Sequence, residues 1–283
     1  MARIAYRIWP VVWEVIAAPF GHFGALLRFG IGPLLFAMML WPPSYSLRID
    51  GQAILSLTDG VLTIWDPLRF LAALPFAAAF AAAWNRLMAT GEEGMMGSFT
   101  TPFDRKTWSV AWAFVRLLAI LVGVIIVVLI PWVLIYGRYA DREFSLDIQV
   151  QGLATIPLAL GTLASGVFIT WFMLRFALTI PAAAIGGDGR SLRQSWSMTR
   201  PIQFRMLFAT LLLLFAYSVV VFLFIFAIAM AGSVVGSRTA FYAGVPVLFL
   251  ILMFGHALWA GLLGSSYRAV QRDADAAEVA AFD

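Results

Sequence analysis

The chain has 283 residues, of which 62% are hydrophobic and only 12% charged, with a mean hydropathy of +0.91. Soluble domains carry roughly 45–50% apolar and about 25% charged residues, so this composition excludes a water-soluble globule and makes lipid the solvent. The net charge of +4 sits on arginines between apolar stretches, which excludes a nucleic-acid surface, and the absence of cysteine excludes disulfides and thiolate chemistry.

The first stretch, "MARIAYRIWPVVWEVIAAPFGHFG", does not read as a signal peptide. Glu14 interrupts its apolar run and no clean cleavage signal follows. Arg3, Arg7 and Glu14 share one narrow stripe of an otherwise apolar helix. That pattern predicts an interfacial helix over about residues 2–20, kinked at Pro10.

A helix crossing about 30 Å of hydrocarbon needs roughly 20 apolar residues. Six segments satisfy this, about 23–41, 67–88, 110–136, 153–175, 206–232 and 240–264. The second has the weakest pattern, because its uninterrupted core runs only from Phe70 to Trp84 and Arg69 and Arg86 must snorkel to opposite interfaces. The whole chain, 1–283, therefore reads as a single all-α polytopic membrane domain.

The loops between spans divide by charge. Arg3, Arg7 and Arg28 lie on one side, with Arg86, Arg105 and Lys106, then Arg190, Arg193, Arg200 and Arg205, and finally Arg268 and Arg272. The alternate loops dilute Arg48, Arg138, Arg142 and Arg238 with six acids. The positive-inside rule then places both termini in the cytoplasm. Arginine replaces lysine everywhere except Lys106, and alanine is abundant, which suggests a bacterial inner-membrane protein.

Two outward loops alternate with period two, "YSLRID" at 45–50 and "FSLDIQV" at 144–150. They predict short strands pairing into a small β cap, or else two separate irregular loops.

Leu153 to Leu174 carry no charge, about 33 Å as a helix, so Arg175 falls at the membrane boundary rather than inside it. The apolar run that follows has Pro181 at its centre and predicts a bent extension lying in the interface or packed under the bundle. Ser191 and Gln194 have capping-box spacing, so a short surface helix is expected over 191–200, ended by Pro201. Thr101, Pro102 and Asp104 give a similar start before the third span.

The chemistry-bearing residues are few. No Asp or Glu falls in an apolar core, which argues against a carboxylate-coupled transporter. His256 is the ionisable group well within a span, as an interhelical hydrogen-bonder or a proton acceptor. His22 is too distant to make a metal pair with it, so no metal site or cofactor is expected. No nucleophile elbow or phosphate-binding loop is present, and no catalysis is expected. Small residues form packing patches at Gly161 and Ser165 in the fourth span and at Gly255, Ala257, Gly261 and Gly264 in the sixth. Arg175, Arg193, Trp196 and Arg200 are candidates for gripping anionic lipid headgroups; the plainer reading is that they obey the positive-inside rule.

"LRFALTIPAAAIGGDGRSLRQSWSMTR" resembles an element of bacterial multi-pass proteins related to the membrane domain that precedes some glycerophosphodiester phosphodiesterases. Arg175, Pro181, Ser195, Trp196, Thr199 and Arg200 match its layout, and "AAWNRLMATGEE" at 82–93 resembles the end of a second span in related proteins. Pro201 stands where that group usually has Gly, and the phosphodiesterase domain with its metal-binding acids is missing. The resemblance thus implies a structural membrane unit and not the hydrolytic activity. Together these features predict an accessory or scaffolding subunit engaging lipid and a membrane partner or a second copy. The alternative is a transporter or flippase for a lipid-like or small amphiphilic substrate.

Overall fold

The computed structural model describes residues 7–40, 48–49, 52–53, 65–91, 105–140, 148–186 and 191–282. In chain order these form α1 (Ile8–Gly21), α2 (Phe23–Leu40), β1 (Arg48–Ile49), β2 (Gln52–Ala53), α3 (Trp65–Thr90), α4 (Arg105–Ala140), α5 (Ile148–Ala177), α6 (Thr179–Ile185), α7 (Leu192–Thr199), α8 (Gln203–Val235) and α9 (Ser237–Phe282). The six predicted spans fall on α2, α3, α4, α5, α8 and α9, and the two predicted surface helices on α1 and α7.

Among the described residues, four stretches are long and apolar enough to cross a membrane: Arg105–Val128, Leu163–Ile185, Gln203–Val235 and Ala243–Ala276. A fifth is the α1–α2 pair, if its 78° bend is taken within one span. α3 is not among them, because Pro75, Trp84, Asn85 and Arg86 interrupt the apolar run of its described residues. Its alanine content puts α3 at the centre. It packs against α2, α4, α6 and α9, with Ala78, Ala79, Ala81, Ala82, Ala83 and Trp84 all buried. Helices in lipid approach closely where side chains are small. The predicted span with the weakest pattern is therefore, among the described residues, the hub of the bundle.

α8 shows the opposite pattern. Only its first turns are buried, at Met206, Ala209, Thr210 and Leu213, while Phe215, Phe222, Phe226 and Met230 face outward. An apolar surface of this extent is stable only in lipid.

α8 and α9 pair antiparallel through glycines. A Cβ on Gly255 would come 2.6 Å from the Tyr217 ring, and Gly244 faces Ile228 in the same way. Gly261 faces Trp84, and a Cβ on Gly264 would come 2.9 Å from the Asn85 carbonyl on α3. The small residues predicted on the sixth span thus serve packing within the chain. On α5 the predicted pair Gly161 and Ser165 is half-buried, while Gly166 beside it is exposed with nothing within 4 Å of a Cβ.

Three expectations are corrected. α1 is not kinked at Pro10, which sits in its first turn where a missing N–H costs no bond; the bend comes at His22. The Glu14 carboxylate, expected on an exposed stripe, pairs with Arg268 and ties α1 along α9. Arg3 lies outside the described residues. The two alternating loops do not pair among the described residues. Arg48–Ile49 pairs instead with its neighbour Gln52–Ala53 across Asp50-Gly51, a favoured two-residue hairpin sequence. Ile148–Val150 opens α5, since a three-residue alternation also fits a first helical turn and the long apolar run behind it propagates helix. The predicted surface start at Thr101–Asp104 lies outside the described residues.

Candidate functional site

The end of the bundle that gathers α6, α7, the start of α4 and the last third of α9 also gathers the arginines. Its geometry starts from Pro181. Without an N–H, Pro181 cannot bond the Ala177 carbonyl, so α5 stops there and α6 sets off after a one-residue break. Thr179 to Ala184 are all buried against α3, α4 and α9. The extension expected after Arg175 is therefore a short helix packed beneath the bundle. It closes at Gly186, whose φ of +96° is the left-handed conformation that glycine takes at a helix end.

The break at Ala177 leaves carbonyls of the last α5 turn without helical partners. α7 supplies them. Ser195 Oγ donates to the Arg175 carbonyl at 3.1 Å and Thr199 Oγ1 at 3.0 Å, and both side chains are buried. α7 begins as the spacing required: Ser191 Oγ accepts from the Gln194 N–H at 3.2 Å, and Gln194 Oε1 reaches back to Ser191 Oγ at 3.0 Å. Pro201 follows its last residue.

Above the carbonyl lies the Arg175 guanidinium. It sits 5.3 Å from the Trp171 ring centroid and 4.6 Å from that of Trp196, a cation–π sandwich between α5 and α7. Phe172 and Phe176 complete the box, 6.0 and 5.3 Å from Trp196. Arg175 is only 7% exposed, and its Nε and one Nη have no hydrogen-bond partner among the described residues. A snorkelling boundary arginine would keep its head in water. This one is roofed by Trp196.

The four candidate headgroup residues are thus brought to one corner in two roles. Arg175 is inside, with Trp196 across it. Arg193 and Arg200 are exposed on the outer face of α7. His256 is elsewhere: its side chain is exposed on α9, and Nδ1 lies 2.8 Å from the Leu252 carbonyl one turn back. That hydrogen bond is within one helix, not between helices. Among the described residues no three His, Asp or Glu side chains cluster as metal ligands would.

Sequence reasoning missed the rest of this end. Asn85 is fully buried in α3 and donates Nδ2 to the Ala81 carbonyl at 2.7 Å. The Trp-Asn pair inside an alanine run was its only signal. A cleft of about 750 Å³ between the ends of α3 and α6, α7 and α9 was also not foreseen, because its walls come from residues far apart in sequence. Exposed Trp9 and Trp13 on α1 and Trp108 and Trp112 on α4 ring the same end.

Comparison with known proteins returns no matching family model, no similar curated protein and no similar solved structure.

Proposed function

We propose that this chain is a six-span protein of the bacterial inner membrane, with both termini cytoplasmic. It has no catalysis of its own and serves as an accessory or scaffolding subunit that engages anionic lipid and membrane partners. The observation that carries this reading is the locked α7. Ser195, Thr199 and the Arg175–Trp196 stack fix it against α5, so that Arg193 and Arg200 are held outward as a basic rim. Guanidinium groups so placed suit lipid phosphates, and the exposed tryptophans around the same end suit headgroup depth. In this reading Arg175 and Trp196 position the rim while Arg193 and Arg200 meet the lipid. The resemblance of Arg175, Pro181, Ser195, Trp196, Thr199 and Arg200 to the layout of membrane units beside phosphodiesterase domains motivates a supporting role of this kind.

The transporter or flippase alternative needs a polar path between spans. The fit of Gly255, Gly261 and Gly264 against Tyr217, Trp84 and Asn85 supports a closed bundle instead. The outward loops keep the small-cap proposal only through residues outside those described.

Two measurements test the proposal. Purification from native membranes in mild detergent, followed by native mass spectrometry, should recover a stoichiometric protein partner and bound anionic lipid. Arg193→Gln with Arg200→Gln should strip that lipid while leaving the fold intact. Unchanged anionic lipid in the double variant would rule out the basic rim as its site, and recovery of the chain without any partner would remove the accessory role.

A further inference from the structure

The cleft at the basic end has the features of a ligand site in its own right. Its volume, about 750 Å³, lies within the range of small-molecule sites. Ala89 and Ile185 contribute apolar lining, and α7 and α9 contribute most of the polar groups.

Those polar groups are unequal. Arg268 is already engaged by Glu14. Arg272, one turn further along α9, lines the cleft, is exposed, and has no hydrogen bond or ion pair among the described residues. Asp275, three residues on, lines the same cleft and is likewise exposed and unpaired among them. Gln194 spends its Oε1 on the Ser191 cap, which leaves its NH₂ as a donor. Gln271 spends its Nε2 on the Tyr267 hydroxyl at 3.0 Å, which leaves its Oε1 as an acceptor. A cation and an amide donor therefore face the cleft together with a carboxylate and an amide acceptor. α3 also ends there, at Thr90, and the negative end of a helix favours a positive group.

We infer that this cleft binds a zwitterionic phosphate-and-amine group of the phosphoethanolamine type. Arg272 and Gln194 take the phosphate; Asp275 and Gln271 take the ammonium. Ala243 to Leu263 supplies roughly 20 residues, about 30 Å of helix. The cleft residues of α9 therefore begin at the headgroup layer with Tyr267 and reach past it toward water at Arg272 and Asp275, open to an outward-reaching headgroup or a soluble ligand. The same chemistry occurs in a free phosphorylated amine, and the test separates the two sources. The site needs the membrane setting proposed above but not the α7 rim, which selects anionic lipid with other residues.

The test uses the full chain in mild detergent, with native mass spectrometry of retained phosphatidylethanolamine and phosphatidylglycerol and with soluble O-phosphoethanolamine as competitor. The expected result is about tenfold better retention of phosphatidylethanolamine, the scale of one charge-assisted contact. Arg272→Gln should lower retention of that lipid about tenfold, and Asp275→Asn should abolish the preference over phosphatidylglycerol while binding persists. Both side chains are exposed, so neither change threatens the fold. Displacement by O-phosphoethanolamine assigns the site to a free phosphorylated amine, and resistance to it assigns the site to lipid. Equal retention of the two lipids by the unaltered chain overturns the inference, as does full retention in Arg272→Gln. Loss of phosphatidylethanolamine from Arg193→Gln with Arg200→Gln would overturn it too, by moving the binding to α7.

Discussion

The Arg175 guanidinium and the Trp196 ring meet at 4.6 Å across the junction of α5 and α7. Arg175 also offers its carbonyl to Ser195 and Thr199, so one residue holds α7 by both its side chain and its backbone. A cation stacked between two indoles and shielded from water contributes about 0.5–2 kcal/mol. Replacing Arg175 by Met and Trp196 by Leu, singly and together, should give a coupling energy of that size in thermal unfolding. A coupling near zero would mean that the two residues merely share a neighbourhood.

The two hydroxyls should be unequal. Ser195 Oγ has one carbonyl in reach, whereas the single Thr199 hydroxyl hydrogen is shared among the carbonyls of Arg175, Ser195 and Trp196. Ser195→Ala should therefore cost more than Thr199→Val. Together they leave the buried Arg175 carbonyl unsatisfied, for a total loss of about 1–3 kcal/mol. Unfolding midpoints of the three variants test this, and strict equality of the singles would contradict the sharing.

Gly264→Ala should be the most damaging small change on α9. Its new methyl would meet the Asn85 carbonyl and the Met88 Cβ, both at 2.9 Å, and backbone cannot swing aside as a side-chain tip can. The expected loss is about 1–3 kcal/mol. Gly123→Ala on α4 has nothing within 4 Å and should be neutral or stabilising by up to about 1 kcal/mol. Comparing their melting temperatures in one detergent decides the matter.

Glu14 and Arg268 are 40% and 24% exposed at the side chain, so their pair is screened and contributes no more than about 1 kcal/mol. Its larger effect is on placement. Glu14→Arg should loosen α1 from α9, read as faster proteolysis after Arg7, and Arg268→Glu in the same chain should restore protection. Failure of the swap to rescue would assign the docking of α1 to Val11, Val12 and Val15 alone.

How much of this was legible beforehand follows from where each signal resides. The positions of the long apolar helices, the Ser191 cap and the stop at Pro201 are local. They depend on runs of apolar residues, a three-residue spacing and the chemistry of proline, and sequence alone determined them. The candidate site was legible only as a group of basic residues near Trp196. Which arginine goes in and which stay out depends on the break at Ala177, which leaves the Arg175 carbonyl to α7 and lets Trp196 close over the side chain.

The tertiary structure decided what hydropathy could not. α3 gave the weakest span signal because its uninterrupted apolar core is short, yet every residue from Ala78 to Asn85 is buried, since alanine allows close approach. The cleft beside Arg272 and Asp275 draws its walls from α3, α6, α7 and α9. No spacing along the chain encodes it. The i, i+3 spacing puts Arg272 and Asp275 on one side of α9, and only the packing of the other helix ends encloses a space in front of them.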